Sequence, residues 1–321
     1  MKLTLITTSP TFGKVGSLPK FMADRDWELI RCADTKLADG GISQHLDRMD
    51  YLVVGLLPAT AEVMDKAPKL KAILKHGVGV DNIDIPAATA RKLPVLSTPG
   101  ANANAVVELA LGGMLSLARR IPMAYKSLTE GVWDRRPGSE IEGKTLGIIG
   151  FGNIGKLLAR KATALGMKVI AYDLYPDNAY AAANNVTMAG LDDVLREADY
   201  VSLHIFGGKD NLNLINAEKL ALMKPSAYIM NMARGEVLDL DALTAALESN
   251  AICGAAIDAY TVEPPDYSHP IFSSDKVVFT PHSGGDTAES LERVGLMILQ
   301  DIETLVSGGK PARVLNPEVF G

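Results

Sequence analysis

Lys144-Thr145-Leu146-Gly147-Ile148-Ile149-Gly150-Phe151-Gly152-Asn153-Ile154-Gly155 joins a short apolar strand to a helix through glycines at G-x-G-x-x-G spacing. Ile154, Leu157, Leu158, Ala162 and Leu165 recur at helical spacing beyond it, and Met167 to Tyr172 reads as a second strand closed by Asp173. Each glycine has its own reason. Gly150 permits the tight turn, Gly152 lets the backbone approach a pyrophosphate, and Gly155 lets helix and strand pack closely. The helix start, with Asn153 and Ile154 in its first turn, offers N–H groups and positive dipole to phosphates. Asp173 stands where a carboxylate can accept ribose hydroxyls. A glycine-rich turn beside a solvated Asp173 is the alternative, but strand, helix and acid together favour a dinucleotide site. Leu174, Tyr175 and Pro176 follow the acid and bring no cation for a 2′-phosphate, so NAD is expected rather than NADP.

The chain has 321 residues, 47% of them hydrophobic, which suits about two domains with sizeable cores. The net charge of −6, the absence of a Lys/Arg run and an aromatic content of 6% argue against nucleic acid as a partner. No apolar stretch reaches a membrane span, and the N-terminus reads as a strand rather than a signal peptide. Cys32 and Cys253 lie far apart in apolar segments, so neither a disulfide framework nor a Cys-based metal site is expected. The expected location is cytoplasmic.

Outward from the glycine motif, strand and helix patterns alternate. Before it lie strands at Leu3 to Thr7, Trp27 to Cys32, Tyr51 to Leu56, Leu70 to Lys75 and Pro94 to Leu96, with a helical pattern at Ile42 to Met49. Ala101 to Arg120 reads as a long helix buried on several sides and linking two domains. Ile121 to Ile141 is a polar extension whose Trp133 is either core or subunit contact. The second unit contains six strand candidates: Leu146 to Ile149, Lys168 to Tyr172, Tyr200 to His204, Ala227 to Met230, Gly254 to Ile257 and Val277 to Phe279. A final helix over Thr287 to Ser307, capped by Asp286, is expected to return to the first unit. The fold class that follows is α/β: two Rossmann/flavodoxin-like parallel-sheet domains, with the substrate domain discontinuous and completed by the C-terminal helix. The predicted boundaries are residues 1–99 plus 291–321 for the substrate domain and 100–290 for the NAD-binding domain.

Arg234, Glu263 and His282 each follow a predicted strand of the second unit. Ligands of open α/β sheets bind outside the carboxyl ends of strands, so all three fall on the cofactor's side. A guanidinium can grip a substrate carboxylate with paired donors. An imidazole can exchange a proton with a developing alkoxide, and a neighbouring carboxylate can orient it and favour its charged form. Alone, each has a bland reading as a turn or loop residue; together, beside a dinucleotide motif, they suit hydride transfer to a 2-oxo acid. His204 is either cofactor lining or core, His45 and His269 read as surface or loop residues, and Gly77-Val78-Gly79 after His76 can offer backbone donors to a carboxylate. No His/Asp/Glu cluster has metal-ligand spacing, so no metal is expected.

These motifs resemble the D-2-hydroxyacid dehydrogenase family, most closely its phosphoglycerate-dehydrogenase-like members. The resemblance rests on Gly77 to Asp84, Thr98 to Ala103 with Val107-Glu108, Gly147 to Gly155, Asn231 to Gly235, Asp258 to Pro264 and Thr280-Pro281-His282. It implies an NAD-dependent oxidoreductase with Arg234, Glu263 and His282 catalytic. Val78 and Gly79 would hold the substrate carboxylate with Arg234. Asp258 would meet the nicotinamide carboxamide, with Val107, Thr98, His204 and Ala233 at the cofactor. It also implies a homodimer through the extension near Ile121 to Ile141. The substrate is a D-2-hydroxy acid or its 2-oxo acid. D-3-phosphoglycerate, hydroxypyruvate or glyoxylate all remain in range, and a non-catalytic NAD(H) sensor of the same fold is the rival reading. Two departures stand out. Ile205-Phe206-Gly207-Gly208 replaces the family's Pro and polar residues after His204. Leu56 to Ala61 also lacks the Arg residues that grip a substrate phosphate, which leaves Lys14 and Lys75 as candidates. No regulatory domain follows in this sequence, so feedback through one is not expected.

Overall fold

The computed structural model describes residues 2–32 and 41–321. It divides into two compact units, one made of Met1–Asn102 with Gly285–Gly321, the other of Ala103–Gly284.

The first unit holds β1 (Leu3–Thr7), α1 (Leu18–Ala23), β2 (Trp27–Arg31), β3 (Tyr51–Val54), α2 (Ala61–Asp65), β4 (Ala72–Lys75), α3 (Ile85–Ala90) and β5 (Val95–Leu96). All four strand pairs are parallel, in the order β2-β1-β3-β4-β5. β1, β3 and β4 are buried at every residue, as expected where both faces of a parallel sheet are covered. Ile42–Arg48 is helical, as its pattern suggested, in the form of a 3-10 helix.

The second unit begins with α4 (Ala103–Ala118) and α5 (Ile121–Thr129). Then follow β6 (Thr145–Ile149), α6 (Asn153–Ala164), β7 (Lys168–Tyr172), α7 (Asn178–Ala183), β8 (Val186–Met188), α8 (Leu191–Glu197) and β9 (Tyr200–Leu203). The unit closes with α9 (Ala217–Leu220), β10 (Tyr228–Asn231), α10 (Leu240–Glu248), β11 (Gly254–Ile257) and β12 (Val277–Phe279). The sheet has seven parallel strands, ordered β12-β11-β10-β9-β6-β7-β8, one more than the six expected. The addition is β8, a three-residue edge strand too short to show a pattern. Alternate residues feed opposite cores: Leu146, Ile148 and Tyr200 face one, while Ile149, Val201 and Leu203 face the other. α4 lies on the first of these cores through Val106, Val107, Ala110, Met114 and Leu117, with Gly113 close to Ala256. The polar extension contains α5, which leaves Trp133 just beyond it 80% exposed; Trp133 is therefore not core.

α11 (Ala288–Val306) belongs to the first unit. Its cap is Thr287, whose Oγ1 accepts the Ser290 N–H at 3.1 Å, rather than the expected Asp286. Val294, Ile298, Leu299 and Ile302 join Leu3, Leu5, Phe12 and Leu18 in one core. Burying four such aliphatic side chains contributes roughly 1.5–3 kcal/mol each. The chain then crosses β5 by an antiparallel bridge between Leu96 and Val314.

Candidate functional site

In the second sheet β6 has β7 on one side and β9 on the other, so the chain reverses its direction of travel across the sheet at β6. Ligands of doubly wound sheets sit outside the strand ends at such a switch point, and the glycine turn lies there. Gly150, at φ +100°, passes so close to the next strand that a Cβ would lie 2.5 Å from the His204 carbonyl oxygen. A Cβ on Gly155 would collide with the Gly150 carbonyl. A Cβ on Gly152 would meet nothing within 4 Å, so the turn is open on that side. Gly152 is also the N-cap of α6 and brings no side chain to its leading N–H groups. Asn153 and Ile154 occupy the first turn. An anionic diphosphate suits this open, uncapped helix start.

Asp173 stands just past β7. Its Oδ2 accepts the Phe151 N–H at 2.6 Å and its Oδ1 the Tyr175 N–H at 2.9 Å. The carboxylate is thereby fixed to the glycine turn, and each oxygen keeps a lone pair for a ribose hydroxyl. His204 ends β9. Its Nε2 is 2.8 Å from Ser202 Oγ, while its Nδ1 is shut off from solvent and has no partner. Burial lowers the His204 pKa to about 4, so the ring is neutral. Val107 is fully buried in α4 and Ala233 is buried after β10.

The three charged residues lie on loops following β10, β11 and β12, which are adjacent strands. Arg234 follows Ala233, with its carbonyl held by Asn231 Nδ2 at 2.9 Å and its Nη1 donating to the Ala233 carbonyl at 2.8 Å. Glu263 takes His282 Nδ1 between its oxygens, at 2.7 Å to Oε1 and 2.9 Å to Oε2. Burial pushes the Glu263 carboxyl up. The His282 hydrogen bond and charge, the Tyr260 N–H and the Arg234 charge outweigh that and hold it below the usual carboxylate range. His282 itself is in a left-handed backbone conformation, φ +51°. Asp258, buried beneath it, accepts from Thr280 Oγ1 at 2.6 Å, Ser283 N at 2.8 Å and Gly284 N at 2.9 Å. Both Asp258 oxygens therefore hold the histidine loop, a task sequence reasoning did not assign. Tyr260 and Thr280 lie in the Asp258 to Pro264 and Thr280-Pro281-His282 motifs, but sequence reasoning assigned neither a role of its own.

In the first unit, Val78 and Gly79 follow β4 on a turn whose Gly77 has φ +135°. The Gly77 carbonyl accepts both the Thr98 N–H, at 3.0 Å, and the Thr98 hydroxyl, at 2.8 Å. Lys75 is buried, its ammonium donating to the Gly55 carbonyl at 2.6 Å and Asn82 Oδ1 at 2.9 Å. Asn82 in turn donates to the Gly55 and Leu57 carbonyls. Lys75 thus ties two loops together. His76 Nδ1 is 3.0 Å from Ser9 Oγ, and burial with the nearby Lys75 charge lowers its pKa to about 4. Among the described residues no group of three His, Cys, Asp or Glu is placed to hold a metal.

The model of the D-isomer specific 2-hydroxyacid dehydrogenase NAD-binding domain matches residues 111–284, which include the switch point and all three charged residues. The chain belongs to this family. The matching model is that of an NAD-binding domain, and NAD fits the glycine turn and Asp173 described above. A hydroxypyruvate reductase from Thermotoga maritima is 40% identical over 81% of this chain and 89% of its own length. A D-3-phosphoglycerate dehydrogenase from Methanocaldococcus jannaschii is 40% identical over 88% of this chain but 54% of its own length. The chain thus spans about half of that relative. The crystal structure of an Aquifex aeolicus D-lactate dehydrogenase, complexed with NAD and lactic acid, is similar at TM-score 0.86 and 26% identity, covering 98% of this chain and 99% of its own.

Proposed function

We propose that this chain reduces a small 2-oxo acid to the D-2-hydroxy acid with NADH, and runs the reverse oxidation with NAD. The cofactor, when bound, supplies or accepts the hydride. Gly150, Gly152, Asn153, Ile154, Gly155 and Asp173 hold its diphosphate and ribose, with Val107, His204, Ala233 and Asp258 at its remaining surfaces. Arg234 grips the substrate carboxylate and polarises the carbonyl. From the first unit, acting as the substrate domain, the reading takes the N–H groups of Val78 and Gly79 as further carboxylate donors. His282 protonates the developing alkoxide.

The observation that carries this reading is the Glu263–His282 pair, at 2.7 and 2.9 Å. With Nδ1 committed to a carboxylate, the ring is oriented and the proton exchanged with substrate sits on Nε2. The test is NADH absorbance with a panel of 2-oxo acids that includes hydroxypyruvate, glyoxylate and phosphohydroxypyruvate. Turnover with at least one at ordinary enzyme rates is expected. Tight NADH binding with no turnover across the panel would contradict it and favour an NAD(H) sensor.

Within the panel, the position of Lys75 favours unphosphorylated acids. Its ammonium is committed to Gly55 and Asn82, and so acts as a brace. Lys75→Met should lower thermal stability, since Asn82 Oδ1 loses the Lys75 donor and the Gly55 carbonyl keeps only Asn82 Nδ2, at roughly 1–3 kcal/mol for an acceptor left unpaired. It should leave the ratio of activity on hydroxypyruvate to phosphohydroxypyruvate unchanged; a selective loss on the phosphorylated acid would make Lys75 a phosphate ligand. We also propose a homodimer. Ile121, Tyr125, Leu128, Val132 and Trp133 cluster in sequence on α5 and its extension, all more than half exposed, and suit a second copy as cover. Cys32 and Cys253 are both free, which supports a reducing, cytoplasmic setting. No described helix is long and apolar enough to cross a membrane.

A further inference from the structure

We propose that Tyr260 is the positioning residue that sets Arg234, Glu263 and His282 in register. The inference rests on the catalytic roles proposed for those three.

Three separate contacts converge on Tyr260. Its backbone N–H donates to Glu263 Oε1 at 3.1 Å, fixing the carboxylate that holds His282. Its hydroxyl donates to the Thr280 carbonyl at 3.0 Å and lies 3.3 Å from the Ile257 carbonyl. The Thr280 carbonyl also accepts the His282 N–H, at 3.1 Å. One oxygen thus links the tyrosine to the backbone of the histidine. On its other side, Gly235 lies so close to the Tyr260 backbone that any Cβ would collide with the Tyr260 carbonyl carbon and oxygen. Gly235 directly follows Arg234. The arginine loop therefore abuts the same residue that holds the other two.

The histidine is where this matters most. A non-glycine residue at φ +51° is held there by its surroundings. Thr280, two residues earlier, is anchored from three directions: its N–H to the Ile257 carbonyl, its hydroxyl to Asp258 and its carbonyl to Tyr260. Removing the tyrosine hydroxyl removes one anchor and leaves a partly buried carbonyl with one donor fewer. The ring is fixed independently, stacked on Phe272 at 6.0 Å between centroids. Burial and the neighbouring Asp258 and Glu263 charges raise the Tyr260 pKa to about 12, so the hydroxyl remains a donor throughout any assay range.

Tyr260→Phe keeps the ring and the N–H and deletes only the hydroxyl. In the reductive direction kcat should fall about two- to tenfold, the range that one net hydrogen bond supports. KM for the 2-oxo acid should stay within about twofold, so that the loss falls on kcat. The NADH Kd should stay within about twofold. Tyr260→Leu, measured alongside, should lower kcat with KM held in the same way, and stands in if the Phe variant does not fold. His282→Ala runs in the same assay. If it loses activity while a folded Tyr260 variant keeps wild-type kcat, or loses only KM, the positioning role is wrong. If His282→Ala keeps wild-type activity, the catalytic reading fails, and this inference with it.

Discussion

The two units carry the same kind of parallel sheet and use its carboxyl edge differently. In the second unit that edge carries the uncapped start of α6, the arginine loop and a carboxylate–imidazole pair. In the first, the corresponding edge holds a lysine engaged by Gly55 and Asn82, a neutral histidine beside Ser9, and the Val78–Gly79 turn. One edge keeps charge available for a reaction; the other uses its polar side chains to fix loops, and its remaining chemistry lies in backbone N–H groups. Shared topology places ligands at strand ends, but it does not choose what the ends do.

The contrast breaks most visibly if activity survives at the first edge alone. His282→Ala should lower kcat by on the order of 10²–10⁴, the usual contribution of a positioned acid–base group. Steady-state NADH oxidation reads this directly, and an unchanged kcat removes His282 from the reaction.

The next effect is a likeness between the units. Each holds one partly buried, neutral histidine, His76 in the first and His204 in the second, with pKa values lowered to about 4. A base depressed in the folded state binds fewer protons there than when unfolded, where its value is 6.5. Stability is therefore complete above pH 6.5 and is lost as pH falls from 6.5 toward 4, at up to about 1.4 kcal/mol per pH unit in each unit. Thermal melts across that range should show both units weakening. His76→Gln should flatten the loss in the first unit only.

A smaller effect separates two glycines of one turn. Gly155→Ala forces a methyl onto the Gly150 carbonyl and should cost roughly 1–3 kcal/mol together with NADH affinity. Gly152→Ala meets open space in the free protein, so its Tm should barely move while NADH binding weakens. Equal melting losses for both would show that the open side of the turn is misjudged.

Much of this was legible in the chain. The glycine turn, Asp173 and the order of strands are local patterns, and the residues that make them are contiguous. β8 was not legible, because Val186-Thr187-Met188 is too short for a period to register and is defined by pairing with β7. Nor was the cap of α11, where Asp286 and Thr287 are both good capping types and only backbone geometry chooses Thr287. The roles of Asp258, Tyr260 and Lys75 were hidden for a further reason. Each depends on which carbonyl or amide of a distant loop arrives beside it, and no spacing in the sequence encodes that. Sequence reasoning found the charged residues at the strand ends and missed the contacts through which Asp258 and Tyr260 hold them.

The central claim is that Glu263 holds His282 as the proton donor. The direct measurement is kcat/KM for reduction across pH in the wild type and in Glu263→Gln. The wild-type rate should hold on the acid side down past the ordinary carboxylate range, because the Glu263 pKa is lowered. In Glu263→Gln kcat/KM should fall by roughly tenfold or more, since a neutral amide replaces the charge-assisted hydrogen bond that orients His282, and the acid limb set by the carboxylate should disappear. A rate and acid limb that stay unchanged when the carboxylate is gone would contradict the account.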